Sequence, residues 1–97
     1  MFVNTDNKLI WKNGSFEKWN DSNVHILSHT LHYGTGVFEG VRAYQAKNKS
    51  AIFRLDDHTK RLFSAASKIS IKIPFSQEEL NKAQCDTLIK NNLDEGY

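Results

Sequence analysis

Against ten lysines this 97-residue chain has only three arginines, Arg42, Arg54 and Arg61. Lysine suffices for solubility, whereas arginine carries a rigid planar fork that grips carboxylate or phosphate oxygens two at a time, so these three are the first candidates for anion recognition. Arg42 falls in the most unusual stretch, His32-Tyr33-Gly34-Thr35-Gly36-Val37-Phe38-Glu39-Gly40-Val41-Arg42-Ala43-Tyr44. Gly34 and Gly36 predict a tight turn, because glycine alone takes a positive φ without penalty. From Val37 the chain reads as a strand, whose successive side chains point to opposite faces. Val37, Glu39, Val41 and Ala43 then share one face. Phe38, Gly40, Arg42 and Tyr44 share the other: an aromatic, a gap, a guanidinium and a second aromatic in register. Gly40 reads equally as a place where a ligand or backbone comes close, or as a bulge with Arg42 snorkelling to the surface.

Other groups suggest less. The spacing Gly-x-Gly-x-x-x-Gly ahead of a strand is not the Gly-x-Gly-x-x-Gly of a dinucleotide-binding turn, which joins a strand to a helix. His25, His29 and His32 would fall near one face of a helix, but no cysteine or carboxylate nearby completes a tetrahedral set, and ordinary hydrogen-bonding histidines are expected. No metal site is expected. Cys85 has no histidine in register to activate it and reads as an incidental thiol. By residue type alone Arg61 is a surface residue paired with Asp57 four positions earlier, a contact contributing a few tenths of a kcal/mol.

The elements that must position these groups follow from local patterns. Leu9-Ile10-Trp11 and Phe16-Glu17-Lys18-Trp19 flank Asn13-Gly14, the dipeptide of a two-residue type I′ hairpin, and the tryptophans are expected to cover the core. Val24-His25-Ile26-Leu27-Ser28 reads as a brief strand. Ala46–Ser50 is a polar turn, and Ala51-Ile52-Phe53-Arg54 closes a second hairpin with the central strand. Asp56 and Asp57 give the acidic start favoured by a helix dipole, and His58, Leu62, Ala65, Ala66 and Ile69 form one buried stripe. Ile71, Ile73 and Phe75 alternate, and Pro74 stops any helix before it. Ser76-Gln77-Glu78-Glu79 is a capping box opening a helix with Leu80, Ala83, Thr87 and Leu88 on one side, ending near Asn91-Asn92. The expected fold class is α+β, an antiparallel sheet of hairpins packed with two helices.

Composition narrows the function classes. A formal charge of +2 with scattered lysines gives no footprint for nucleic acid or an anionic membrane. No apolar run approaches the roughly 18 residues of a membrane span, and no secretory signal is visible. One cysteine cannot form an internal disulfide, which suits a reducing, cytoplasmic setting. Residues 1–97 are expected to form a single domain.

The run from His29 to Tyr44 resembles the N-terminal signature of branched-chain amino-acid aminotransferases, enzymes of the class IV (fold type IV) pyridoxal-phosphate family. The resemblance continues through Phe53-Arg54-Leu55-Asp56-Asp57-His58-Thr59-Lys60-Arg61-Leu62 and Asn91-Asn92-Leu93, covering most of the chain. It implies that residues 1–97 are the small N-terminal domain, with the cofactor-bearing lysine in a larger C-terminal domain beyond Tyr97, so the chain alone is expected to hold no catalytic residue and to be inactive. Position by position, the resemblance implies that Arg61 grips the phosphate of pyridoxal 5'-phosphate. It makes Phe38 the aromatic of the substrate pocket, Gly40 the residue whose missing side chain leaves room for substrate, and Arg42 an organiser of the acidic-substrate end. It implies that Tyr33 reaches the neighbouring subunit's site, which requires at least a homodimer. Substrates would be leucine, isoleucine and valine with 2-oxoglutarate or glutamate. Gly36 departs from the serine common in relatives, and the strand beginning near Gly96-Tyr97 is cut short. A D-amino-acid aminotransferase or aminodeoxychorismate lyase would keep the helix arginine but usually lacks Phe-Glu-Gly-x-Arg. A non-enzymatic module would bury Phe38 and Tyr44 in a partner.

Overall fold

The computed structural model describes residues 4–97. It contains strands β1 (Leu9–Lys12) and β2 (Ser15–Lys18), a single 3-10 turn (Trp19–Asp21), and helix α1 (His29–Tyr33). Strands β3 (Ala43–Ala46) and β4 (Lys49–Ile52) and helices α2 (Leu55–Lys68) and α3 (Gln77–Lys90) follow. The class is α+β, as expected.

Local chemistry sets most of these boundaries. Asn13 (φ 52°) and Gly14 (φ 102°) both take the positive φ that a type I′ turn demands. They close β1 on β2 with Trp11 opposite Phe16. Trp11 then meets Phe75 edge-on, ring centroids 5.0 Å apart. The Ser76 hydroxyl accepts the Glu79 amide at 3.0 Å and the Glu79 carboxylate accepts the Ser76 amide at 2.6 Å, so the capping box forms as read. Both long helices end the same way. Ser70 (φ 60°) and Asn92 (φ 53°) occupy the left-handed position. The following amides reach back to the last turn: Ile71 to the Ala66 carbonyl at 2.9 Å, Leu93 to the Leu88 carbonyl at 3.0 Å. Pro74 is thus not the stop; α2 has already closed at Ser70.

A side chain fastens the first hairpin to α3. Asn91, 8% exposed, accepts the Leu9 amide at 2.8 Å and donates from Nδ2 to the carbonyls of Leu9 and Thr87, each at 2.9 Å. The amide side chain acts as a short substitute strand on the edge of β1. A second polar clamp joins α2 to α3. Thr59, 2% exposed, donates to Asn81 Oδ1 and receives Gln84 Nε2 at 3.4 Å, while Asn81 Nδ2 donates to Asp56 at 2.6 Å. Burial this deep requires that the hydroxyl be satisfied. Around it the helices approach over small residues, and the buried apolar residues among the described ones are Ala43, Ala66 and Ala83.

Several expectations are corrected. The hairpins do not merge into one sheet: they are two separate two-stranded sheets. Val37–Arg42 carries no strand ladder, and β3 begins only at Ala43, which also exchanges hydrogen bonds of 2.8 and 3.2 Å with Gly96. A strand needs a neighbour, and sequence alternation does not supply one. The second turn is only Lys47-Asn48, with Asn48 at φ 60°, so β4 starts at Lys49 and Phe53-Arg54 is already a turn. Val24–Ser28 forms no strand; the chain turns at Ile26-Leu27 into α1, which Gly34 (φ 66°) ends. Trp19 is 47% and Ile69 43% exposed, so neither is core.

Candidate functional site

The side chains of greatest interest meet where α2 runs beside the Val37–Arg42 segment. That segment has no ladder, yet its alternation holds: Val37, Glu39 and Val41 turn inward, while Phe38 and Arg42 are exposed. Glu39 is the consequence. A carboxylate carried to the inward face, with its side chain 10% exposed, needs partners, and α2 provides two from adjacent turns. His58 Nδ1 lies 2.7 Å from Glu39 Oε1. Arg61 Nε donates to both carboxylate oxygens at 3.0 Å, and Arg61 Nη2 donates to Oε1. Residues three apart on a helix share a face, which is why one carboxylate collects both.

The electrostatics follow from that geometry. The Arg61 hydrogen bond first, then the one from His58, hold the Glu39 carboxyl well below its usual 4.5, at about 2. Glu39 is therefore ionised and only accepts, which assigns the bridging proton to His58 Nδ1. The hydrogen bond to Glu39 in turn raises the Arg61 guanidinium above its usual value. The surface pairing of Arg61 with Asp57 does not occur: Asp57 is taken by Arg54 Nε at 2.8 Å, which lowers the Asp57 carboxyl. Although anchored, the Arg61 side chain is 69% exposed, and among the described residues its Nη1 has no partner. That leaves an outward edge of the fork able to take an anion.

The remaining candidates divide. Phe38 is 91% exposed and borders a cleft of about 780 Å³, which Glu39 and His58 also line with Leu62, Leu80 and Tyr97. Gly40 marks a close approach and not a left-handed bulge: it is not among the positive-φ glycines, and a Cβ there would collide with the Tyr97 hydroxyl and come within 3.1 Å of Cζ. Arg42 turns away from the cleft and stacks its guanidinium 5.2 Å from the Tyr44 ring centre. Tyr33 stands apart on α1, its ring edge-on to His29 at 5.1 Å and 73% exposed. Among the described residues no group of three or more His, Cys, Asp or Glu is placed to hold a metal, and His25 Nδ1 is occupied by the Leu27 amide at 3.0 Å. No helix among them is long and apolar enough to cross a membrane. Sequence reasoning missed Glu39, His58 and Tyr97 as members of the site. The available signal was Glu39 itself, an acid on an otherwise apolar face.

The site thus sits on a two-hairpin, α+β unit with an outward-facing arginine on its first long helix, and comparison with known proteins supplies the class. The amino-transferase class IV family matches residues 36–97, and the chain belongs to that family. It is similar to the branched-chain-amino-acid aminotransferases of Pseudomonas aeruginosa (48% identical over 89 residues) and Escherichia coli K12 (42% over 88 residues). Those alignments cover 92% and 91% of this chain but 29% and 28% of the relatives. Among solved structures it superposes on a T.th. branched-chain amino acid aminotransferase complexed with N-(5'-phosphopyridoxyl)-L-glutamate, with a TM-score of 0.89, 43% identity and 92% of this chain covered. The Escherichia coli enzyme gives a TM-score of 0.88 at 40% identity. The chain spans about three tenths of the length of these relatives.

Proposed function

We propose that this chain is the N-terminal small domain of a branched-chain amino-acid aminotransferase, which moves an amino group between leucine, isoleucine or valine and 2-oxoglutarate with pyridoxal phosphate as cofactor. The observation that carries this reading is the Arg61 fork, pinned along one edge by Glu39 and free along the other. A free guanidinium edge suits a phosphate dianion in charge and shape, so the residues present fit the cofactor's phosphate end. When bound, the cofactor supplies the electron sink for the chemistry at the substrate's α-carbon. This chain's residues bind and orient. Arg61 holds the phosphate, Phe38 offers an apolar wall to a branched side chain, and Gly40 allows an aromatic, here Tyr97, to lie against the backbone. Arg42, exposed like Phe38 and stacked on Tyr44, is assigned to organising the acidic-substrate end, and Tyr33, exposed on α1, reaches a neighbouring subunit in a homo-oligomer. The reacting lysine belongs to a larger domain beyond Tyr97, and the enzyme works in the cytoplasm.

The test measures turnover of L-leucine with 2-oxoglutarate, against D-alanine, by the longer enzyme containing this segment and by the 97-residue chain alone. The longer enzyme is expected to prefer L-leucine and the short chain to be inactive. Preference for D-alanine overturns the substrate assignment, and turnover by the short chain overturns the division of labour.

A further inference from the structure

Arginine has five N–H donors on a side chain with four rotatable bonds, and an exposed one samples many directions. Arg61 does not have that freedom. Its Nε sits 3.0 Å from both oxygens of Glu39 and its Nη2 also reaches that carboxylate, so the guanidinium plane is set along one edge. Glu39 is itself fixed, 10% exposed and held by His58 Nδ1 at 2.7 Å. The backbone of Val37–Arg42 thus dictates, through one carboxylate, where the outer edge of the fork points.

We propose that Glu39, seated on His58, is a positioning residue that aims Arg61 at its phosphate; the inference rests on the reading of Arg61 given above. A simple count of charge predicts the opposite effect from aiming. An anion beside a phosphate-binding arginine repels the phosphate, and neutralising it would tighten binding. If the carboxylate acts by orientation, neutralising it loosens binding instead, because the fork regains its freedom. The sign of one substitution separates the two.

The experiment uses the longer enzyme containing this segment and reads the dissociation constant of pyridoxal phosphate by equilibrium dialysis, with the 31P resonance of the bound cofactor as a second readout. Glu39→Gln keeps the shape but removes the charge and one acceptor. It is expected to weaken cofactor binding roughly tenfold, the scale on which outer partners that orient a ligand-binding side chain act, and to shift or broaden the 31P line. In the Arg61→Ala background the same change is expected to cost nothing more. Arg61→Lys keeps the charge but cannot form the two-pronged pair, and is expected to weaken binding by a similar factor, which keeps the test open should Glu39→Gln not fold. Unchanged or tighter binding in Glu39→Gln, an equal loss in the Arg61→Ala background, or wild-type affinity in Arg61→Lys would each overturn the inference while leaving Arg61 as a phosphate ligand. Unchanged affinity in Arg61→Ala alone would instead remove the reading on which it rests.

Discussion

Replacing Asn91 with alanine should loosen the first hairpin, and the structure lets the size be estimated. The Asn91 side chain makes three hydrogen bonds, two to the backbone of Leu9 and one to the Thr87 carbonyl, all between 2.8 and 2.9 Å. Each such bond contributes about 0.5–1.5 kcal/mol net. Leu9 is only half-buried, so water replaces part of what is lost, and the expected destabilisation is about 2–3 kcal/mol. Against a total stability of roughly 5–15 kcal/mol for an ordinary domain, that is a large fraction. Asn91→Asp should do at least as much harm at neutral pH. It keeps an acceptor for the Leu9 amide but turns a carboxylate oxygen toward two carbonyls that now receive a proton from Nδ2. Urea unfolding followed by tryptophan fluorescence measures the loss, since Trp11 lies in β1 against Phe75. Exchange of the Leu9 amide proton localises it. A loss below about 0.5 kcal/mol in Asn91→Ala, the range of a neutral surface change, would refute the view that this amide fastens β1 to α3.

Three further outcomes are expected. The folded-state carboxyl of Glu39 sits at about 2 against an ordinary 4.5, so its contribution to stability is complete above pH 4.5 and is lost as pH falls toward 2; the stability difference between wild type and Glu39→Gln, measured by urea unfolding across that window, should be flat above about pH 5 and shrink below it. Ser70→Gly should stabilise the chain by roughly 0.5–1 kcal/mol in the same assay, because the residue holds φ 60° at the end of α2 and glycine takes that conformation freely. Gly40→Ala should change stability by less than about 1 kcal/mol yet displace the Tyr97 ring, since what the new methyl meets is the far end of a mobile side chain; the Tyr97 ring-proton shifts report it, and unchanged shifts would contradict the close approach.

What the sequence disclosed were features fixed within a few residues. The Asn13-Gly14 turn, the Ser76–Glu79 box and the acidic opening of α2 each depend on neighbours in the chain, and each appears where expected. The inward and outward faces of Val37–Ala43 were also legible, because extended backbone alternates whether or not a ladder forms. The failures share one cause, dependence on a distant partner. Whether Val37–Arg42 becomes a strand, and whether the hairpins join, is decided by which other backbone lies alongside. The partner of Arg61 proved to be 22 positions away, although Asp57 stood one turn off, because Arg54 had claimed Asp57. α1 escaped notice for another reason: five residues with three polar side chains carry too little periodicity to separate a helix from a turn.

The balance of forces in the described residues bears on how such a segment works. Its deepest apolar burial is three alanines, while Ile26, Leu27, Leu31, Tyr33 and Phe38 are between 59 and 91% exposed. Order comes instead from polar devices of short reach: the Asn91 clamp, the Thr59–Asn81 pair, the capping box and two left-handed helix ends. These fix backbone and fork directions accurately but bury little surface, and burial is the larger source of stability. A wall built this way holds its binding groups in register while leaving its aromatic and aliphatic side chains for other surfaces to cover. That division, polar clamps within and apolar contacts without, is what the proposed small domain of a larger, oligomeric enzyme requires.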